Sequence, residues 1–348
     1  MIKRALTLLA ALAIVVAALV YLTRRGSRAA ETAALPELLL LAPANSPYLL
    51  YADVAALRSS PLLARLANFA PPTHAERDYL EFVAATGFDF TRDLDRLVVA
   101  ARPAAPQPLT VVLAEGRFDR EKISAYALRS GKLERHDSLD VYLFATAKGA
   151  RSAAFAFLSA NLVVLADGPG GAAALAALGQ HGEPVDLAPT MRQHVERVAG
   201  ATFFAVGRIE NLPENFAPGG MRSGQFANLA RSLRWATLAA RPEGDRMRLA
   251  LEGECDTIEN ARQLAGTLDG LRLLGSAALA DPRTRRSMQP EAASALETLL
   301  QTAEISRPGS EEEKRVRLAL ELTPQMIQNL PAFAPPPAKS PAAPAPPR

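Results

Sequence analysis

The densest group of side chains that could do chemistry is acidic and comprises Asp89, Asp93 and Asp95. Three carboxylates this close could share a metal ion or divide acid and base roles between them. A calcium loop of the EF-hand kind, counted from Asp89, needs glycine at its sixth position and glutamate at its twelfth. Those positions hold Leu94 and Ala100, so the spacing excludes that loop. The three aspartates remain the candidate catalytic residues, and turn formation with pairing to nearby arginines is the alternative interpretation.

The histidines do not have the spacing of a metal site. They are separated by 13 or more residues and are His74, His136, His181 and His194. Two imidazoles reach one zinc ion when they lie three to five residues apart, and no pair here does. His136 lies near Glu134, Asp137 and Asp140, which form a second carboxylate cluster that a hydrolase could use. The sequence predicts no bound metal.

Motifs for nucleophilic catalysis and phosphate binding are incomplete. Ser223 lacks the glycine two positions before it that a nucleophile elbow requires, and no lysine follows a serine by three residues. A glycine-rich turn over residues 167–171 precedes an alanine-rich helix, but Pro169 removes one amide donor and no Lys-Ser/Thr pair follows. The sequence therefore predicts no nucleotide or other cofactor.

The charge pattern disfavours a nucleic-acid partner. The chain has 348 residues with 39 Lys and Arg against 36 Asp and Glu, which gives a net charge of +3. Five of these bases and no acid lie in residues 1–30, so the remaining body is close to neutral. Binding to a phosphate backbone needs clustered bases, which this body does not offer. The single cysteine, Cys255, excludes an intramolecular disulfide and is expected in the core.

The N-terminal region has the features of a membrane anchor. Residues 5–22 form an apolar run bracketed by basic residues, with Thr7 and Tyr21 as its only polar side chains. As a helix this run would be about 27 Å long, close to the roughly 30 Å hydrocarbon core. Arg24 and Arg25 precede the small-residue cleavage site and argue against removal. We predict a transmembrane anchor over residues 1–26.

Orientation follows from the layout of the chain. A short basic N-terminus before a long apolar segment and a large body favours an inner-membrane protein that spans once, with a periplasmic body. The numbers of basic charges on the two sides of the apolar segment are nearly equal, so these charges alone do not exclude a cytoplasmic location of the body. Residues 27–36 are expected to be a linker. Residues 331–348 carry eight prolines and predict a disordered tail.

An internal repeat lies between the linker and the tail. Residues 99–103 (VAARP) are echoed by 238–242 (LAARP) at an offset of 139, and residues 115–119 (EGRFD) by 252–256 (EGECD) at an offset of 137. An apolar strand, a turn glycine and a helix-capping aspartate suffice to explain this motif without a duplicated active site. We predict two similar halves, residues 37–185 and 186–330.

The elements of each half are paired strands mixed with helices. Strand-like runs, rich in apolar and β-branched residues, are predicted at 48–54, 96–101, 109–115, 141–144, 154–158, 162–166, 202–209, 234–240, 246–252 and 315–322. Asp119 and Asp256 are expected to cap the helices that follow them. This order predicts an α+β fold with mainly antiparallel sheets and helices packed on one face.

The opening of the body carries a family resemblance. Residues 41–57 (LAPANSPYLLYADVAAL) consist of a proline-containing turn, an apolar strand, an aspartate and the start of a helix. In this unit and its repetition after an anchor, the chain resembles a group of uncharacterised bacterial envelope proteins of the domain-of-unknown-function type. The resemblance implies a location in the envelope and no activity.

Three functional hypotheses follow. The first is a non-enzymatic, membrane-anchored module that binds an envelope protein or another envelope component. The second is a membrane-anchored hydrolase that uses the Asp89, Asp93 and Asp95 cluster or the carboxylates near His136. The third is an interaction module tethered on the cytoplasmic side. Convergent carboxylates in a pocket would favour the enzyme, and an exposed apolar patch or sheet edge without one would favour binding.

Overall fold

The structure is a computed structural model. It describes residues 36–62, 77–102, 108–136, 139–145, 152–168, 170–180, 187–209, 232–308 and 313–329. The strands in these ranges are β1 Tyr48–Asp53, β2 Leu94–Arg102, β3 Leu109–Gly116, β4 Lys132–His136, β5 Leu139–Ala145, β6 Ser152–Phe157, β7 Leu162–Asp167, β8 Phe203–Arg208, β9 Leu233–Glu243, β10 Arg246–Cys255, β11 Glu304–Ser306 and β12 Arg315–Leu322. The helices are α1 Glu37–Leu40, α2 Val54–Arg58, α3 Arg77–Thr86, α4 Phe90–Asp93, α5 Arg120–Ala127, α6 Gly171–Gln180, α7 Pro189–Val198, α8 Ile258–Ala280, α9 Pro282–Ser287, α10 Pro290–Thr302 and α11 Pro324–Asn329.

These strands form one continuous antiparallel sheet. Its order is β11-β12-β10-β9-β8-β1-β2-β3-β7-β6-β5-β4. Outward from the central β8–β1 pair, the order β1, β2, β3, β7, β6 on one side matches β8, β9, β10, β12, β11 on the other. The α+β fold with a large antiparallel sheet and packed helices is confirmed. The proposed boundaries of the halves, residues 37–185 and 186–330, stay a prediction.

The β1–β8 pair joins the two sides of the sheet. Its register places Tyr48 opposite Gly207 and Tyr51 opposite Phe204. A side chain at position 207 would put its Cβ 2.9 Å from the Tyr48 ring, so glycine makes room for this tyrosine. Phe204 and Leu49 are almost completely buried, and the Tyr51 and Phe204 rings stack with centroids 5.2 Å apart. The seam is therefore part of the core.

Helices cover both faces of the sheet, so the expectation that they pack on one face is wrong. Face A, the side that carries Leu49, Val98 and Val111, is covered by α6 and α7 through residues such as Leu175 and Val195. Face B is the opposite side. A central apolar strand alternates its side chains between two faces, so both must be buried when neither is polar.

Face B carries three smaller clusters. Helix α2 contributes Val54 and Leu57, α5 contributes Ile123, and α8 contributes Ala261 and Leu264. These helices follow β1, β3 and β10 along the chain, and α5 and α8 come after the equivalent strands of the two copies. The repeat thus extends from strands to the helices that follow them.

The repeat holds one register through both hairpins. Ala101 pairs with Thr110 as Ala240 pairs with Leu249, 139 residues later in each case. Both hairpins also shift register at their ends, where Leu94 and Leu233 meet Gly116 and Cys255 respectively. In the structure, the second motif is therefore also related by an offset of 139, so that Gly116 is equivalent to Cys255. The offset of 137, which aligns the identical residue types, is wrong by two residues.

Helix starts agree with sequence expectation in one copy and differ in the other. The Asp119 side chain accepts from the Lys122 amide at 3.1 Å and caps α5, which confirms that prediction. In the second copy the cap of α8 is Thr257, whose hydroxyl accepts from the Asn260 amide at 3.1 Å. Asp256 instead pairs with Arg234, so its predicted capping role is wrong. Because Arg234 already pairs with the Asp256 carboxylate, the next residue, Thr257, can cap the helix in its place.

The membrane-anchor segment, residues 5–22, lies outside the described residues, as do the tail, His74, His181 and Asp137. Among the residues that are described, no helix is both long enough and apolar enough to cross a bilayer.

Candidate functional site

The three candidate aspartates lie close together around α4. Asp89 precedes that helix, and its carboxylate accepts from the Thr91 amide at 2.9 Å and from the Tyr79 hydroxyl at 3.2 Å. Asp93 is buried and accepts from Arg92 and from the Asp89 amide. Burial acts to raise the pKa of Asp93, but these hydrogen bonds outweigh it and hold the pKa below its ordinary value.

Asp95 is bound by arginines from two other elements. Its Oδ1 lies 3.0 Å from Arg58 of α2 and 3.7 Å from Arg117, which also reaches Asp93 at 3.5 Å. The cluster thus connects α2, α4 and the start of β2 through ion pairs. A catalytic role for these carboxylates stays a prediction, and their present contacts are those of a structural network.

The carboxylates near His136 are similarly engaged. Glu134 Oε1 lies 2.6 Å from Lys132 Nζ, and Asp140 Oδ1 lies 3.0 Å from Arg135 Nε. His136 Nε2 is 3.7 Å from Glu134 Oε2, two residues earlier on the same strand β4. Across the described ranges, no group of three or more His, Cys, Asp or Glu side chains is placed to hold a metal ion.

The glycine-rich turn at 167–171 positions a helix. Gly168 has a φ of +126°, and a Cβ there would lie 2.2 Å from the Pro108 carbonyl oxygen. Only glycine can therefore turn the chain from β7 into α6 at this point. The turn sets α6 onto face A, where Leu175 is fully buried.

A cleft of about 310 Å³ opens on face A of the second copy. It is lined by Arg197, Val198, Thr237, Ala239, Arg241, Glu243, Arg248, Ala250, Glu252 and Arg317. We call it the arginine cleft. Strands β9, β10 and β12 supply all of these residues except Arg197 and Val198, which come from the end of α7.

The strand registers give the cleft a simple floor. Ala239, Ala250 and Ala319 lie side by side on β9, β10 and β12 and are half-buried. On one side of this alanine row, Arg248 lies between Arg241 and Glu321. The result is a trough of small side chains that runs across the strands.

The opposite wall is the row two residues beyond the alanines on the other side. There Glu252 lies between Thr237 and Arg317. Successive side chains on one face of a strand are about 6.8 Å apart. The two walls of the trough, four residues apart on each strand, are therefore separated by roughly 13 to 14 Å.

The equivalent rows of the first copy are apolar. They are Ala100, Val111 and Ala166, and then Val98, Leu113 and Val164. The side chains of the second row are fully buried, and helix α6 contacts β3 and β7, which carry four of these residues, together with β5 and β6. At the equivalent positions, the second copy has Thr237, Glu252 and Arg317.

The helix that follows the equivalent strand of the second copy takes another path. Helix α11 comes directly after β12, as α6 comes after β7, but it packs against α10. Its Met326 is buried there. Of the helices that the structure describes, only α7 contributes to the lining of the cleft, through Arg197 and Val198.

The cleft lining carries four arginines and two glutamates. The Glu252 carboxylate is 3.4 Å from Arg197 and 3.2 Å from Arg315, but Arg197 also lies 3.2 Å from Glu254 and Arg315 also pairs with Glu313, so three carboxylates share these two arginines. Arg241 donates to the Ala199 carbonyl oxygen at 3.0 Å, which carries no formal charge. Among the described residues, Arg317 has no hydrogen-bond or ion-pair partner. Arg248, opposite Arg241, lies 3.9 Å from Glu243 and also opposite Glu321, so the positive charges that lack a carboxylate partner among the described residues are those of Arg241 and Arg317. An anionic group could approach these two arginines favourably.

A buried imidazole, that of His194, lies on α7 next to the cleft. His194 stacks on Trp235 with ring centroids 4.3 Å apart, and its Nδ1 faces the Arg197 guanidinium. Burial, followed by the charge of Arg197, lowers the pKa of His194 to about 4. A neutral ring can accept from Arg197 at Nδ1 and keep its proton on Nε2, which is 3.9 Å from Glu254. The ring thus holds Arg197 at the end of the cleft.

Sequence reasoning missed the residues of the cleft. Alternating Arg, Ala and Glu on β10 and β12 reads as an ordinary solvated strand face. The available signal was the repeat itself: an offset of 139 aligns Glu252 with the buried Leu113, whereas an offset of 137 aligns it with Glu115 and conceals the change.

No family model and no curated protein matches this chain. Crystal form III of TP0453 aligns with it at a TM-score of 0.46 and 9% identity over 88% of this chain and 100% of the other. Crystal forms IV and I give TM-scores of 0.44 and 0.42 at 10% identity, over 84% and 86% of this chain and 96% and 98% of theirs. Likeness at this level carries no argument about function. The expectation that no family of known activity matches is confirmed.

The His194 environment predicts a pH-dependent stability. Between pH 6.5 and about 4 the unfolded chain binds a proton that the folded chain does not, so the free energy of unfolding falls as pH is lowered through this window. The slope should reach at most about 1.4 kcal/mol per pH unit. Urea unfolding of the full chain in micelles, followed by fluorescence of the single tryptophan, measures it. His194→Gln should flatten the slope, and the matched change His136→Gln should not; an equal slope in both variants contradicts the assignment.

The contacts of Asp93 predict a structural cost on neutralisation. Asp93→Asn removes the charge that binds Arg92 and Arg117 and should lower the free energy of unfolding by about 2 kcal/mol. Asp269→Asn, at a half-exposed pair with Arg272 on α8, is the control and should cost less than about 0.5 kcal/mol. Unfolding midpoints in urea measure both. An unchanged midpoint for Asp93→Asn would argue against the structural role and favour the hydrolase hypothesis.

Proposed function

We propose that this protein is a non-enzymatic binding module, tethered to the bacterial inner membrane by residues 1–26, and that the arginine cleft binds an acidic partner in the envelope. The observation that carries the proposal is the exchange of a buried apolar row for Thr237, Glu252 and Arg317 in a cleft whose lining carries four arginines.

The chemistry of the cleft supports binding over catalysis. Both glutamates in its lining have arginine partners: Glu252 has two, and Glu243 lies 3.9 Å from Arg248. The imidazole of His194 is stacked on an indole and faces a cation, so burial keeps it neutral without presenting it to a ligand. The cleft offers cations and small apolar side chains, which recognise a partner but do not attack it.

The tether and the side of the membrane rest on the sequence. The apolar length of residues 5–22 and the basic residues at both ends support a single crossing. The short basic N-terminus before a large body supports a periplasmic location. The hydrolase and the cytoplasmic module remain the alternative hypotheses, and each gives a different result in the experiments below.

Topology tests the location. A reporter active only outside the cytoplasm, fused after Arg348, should be active and should remain in the membrane fraction. Removal of residues 1–30 should release the body from that fraction. An inactive, membrane-bound reporter would place the body in the cytoplasm and favour the cytoplasmic interaction module. An active reporter in the soluble fraction would contradict the tether.

Site-specific crosslinking tests the binding site. Glu304 is exposed on β11 and pairs with Ala319, so it lies at the open end of the trough without forming its walls. A photoreactive phenylalanine analogue there, in the full chain in cells, should crosslink a partner. Ala277, exposed on α8, is the control position and should not give that adduct.

The arginine dependence of the adduct decides the outcome. The double variant Arg241→Glu, Arg317→Glu should abolish the adduct from position 304. The double variant Arg283→Glu, Arg286→Glu on α9 changes the net charge equally and should leave it intact. No adduct from position 304, or one that survives both double variants, would overturn the proposal.

A further inference from the structure

Helix α7 is held on the sheet partly through a buried histidine. His194 is one of four buried side chains of this helix, and the others are Met191, Val195 and Val198. We propose that acidification releases α7 from face A when His194 takes up a proton, and that this release opens the end of the arginine cleft that Arg197 and Val198 line. The inference goes beyond the proposed binding function and requires no ligand.

The contact between His194 and Arg197 requires a neutral ring. The Nδ1 atom of His194 faces the Arg197 guanidinium, which donates hydrogen bonds and has no acceptor. Only the lone pair of an unprotonated Nδ1 can accept from this group. A proton on Nδ1 would replace the hydrogen bond with two opposed N–H groups and would bring two positive charges into contact.

The carboxylate that faces the ring does not offset this repulsion. Glu254 of β10 lies 3.9 Å from His194 Nε2, which is beyond hydrogen-bond distance, and 3.2 Å from Arg197. Arg315 of β12 adds a second positive charge near the ring. Burial acts first and the charge of Arg197 next, and together they lower the pKa of His194 to about 4 in spite of Glu254.

The strands on which α7 packs are β8 and β9, and the charged groups that they place near the ring are cationic. His194 stacks on Trp235 of β9, and the guanidinium of Arg208 on β8 lies over the same indole, 5.5 Å from its centroid. Further along β9, Arg241 donates to the Ala199 carbonyl oxygen, directly after α7. A protonated ring would therefore meet positive charge on α7, β8 and β12.

A hinge follows the helix directly. Gly200 has a φ of +79°, a left-handed conformation that favours glycine, and it lies between the last residue of α7 and the start of β8. At the other end, the N-cap residue Ala188 makes no side-chain hydrogen bond to the helix. The helix can therefore leave the sheet as a unit while β8 keeps its pairing with β1 and β9. Local opening of such a unit costs less free energy than global unfolding.

The open form binds the proton that the closed form excludes. Once exposed to water, His194 has an ordinary pKa of about 6.5, against about 4 in the closed form. Between these two values, each unit by which pH is lowered should shift the equilibrium toward the open form by up to about tenfold. Global unfolding binds the same proton, so the stability slope predicted above is unchanged while the closed form predominates.

Hydrogen exchange of the full chain in detergent micelles tests the release. The exchange rates of amides in α7 and in the β2–β3 pair, each divided by the intrinsic rate at the same pH, give the opening constant of each segment. We expect the α7 constant to exceed that of β2–β3 throughout, and to rise by up to about tenfold per unit as pH is lowered below 6.5. Acrylamide quenching of Trp235, the single tryptophan, should rise in the same window.

Variants assign the trigger. A glutamine amide oxygen can accept from Arg197 but does not titrate, so His194→Gln should remove the pH dependence of α7 opening. His136→Gln on β4 is the matched control and should leave that dependence unchanged. Arg197→Met removes the opposing cation and should raise the pKa of the buried ring, so opening should depend on pH over a narrower window. Cooperative urea unfolding at neutral pH checks that each variant is folded.

Three results would overturn the proposal. Equal opening constants for α7 and the β2–β3 pair at every pH would mean that acid unfolds the protein as a whole. A pH dependence that persists in His194→Gln would assign the release to another group. An α7 opening constant that does not change with pH in the natural chain would mean that the ring accepts its proton in place. None of these results bears on the crosslink from position 304, which tests the proposed function separately.

Discussion

The pairing of β1 with β8 is the interaction on which the rest of the structure depends. It is the only contact within the described sheet that joins a strand of the first copy to one of the second by backbone hydrogen bonds. Because these two strands lie at the start of their copies, every other strand takes its place outward from them. The side chains at this seam are also buried, with Tyr51 stacked on Phe204, so the seam is held by packing as well as by the ladder.

The matching strand order on the two sides of this seam gives two equivalent positions that are used differently. On face A of the first copy, α6 covers an apolar surface and completes the core. In the second copy, α11 packs against α10 instead. The strands on face A there carry arginines beside a row of alanines. Because β1 pairs with β8, the packed core of the first copy holds the first strand of the second copy in place.

Much of the fold could be predicted because strands declare themselves locally. Alternating and apolar runs located the strands around Tyr48, Val98 and Val111, and the Asp119 cap was correct. The order of strands in the sheet could not be predicted, since it depends on pairings more than a hundred residues apart. Helices on both faces were missed because burial on a second face leaves little trace in a sequence that is apolar throughout.

The candidate site shows the same limit more sharply. Asp89, Asp93 and Asp95 drew attention by their spacing, and the structure brings them together, but Asp93 and Asp95 have arginine partners and Asp89 caps α4. Residues such as Glu252 and Arg317 look ordinary in the sequence and become notable only when their register with Leu113 and Val164 is known. The sequence shows which residue types could do chemistry. A change of environment between two equivalent positions is recognised only when the two copies are compared in the structure.

The seam has a consequence for how the chain is made. Strand β1 is synthesised about 150 residues before β8, so the first copy can fold only with one edge of its sheet unpaired. Until residues 203–208 emerge, Gly207 is not there to receive Tyr48, and the edge stays open to any strand of the same sequence. The β8 of a neighbouring chain satisfies it equally well. Local concentration during synthesis thus decides between a closed monomer and a pair of chains that have exchanged halves.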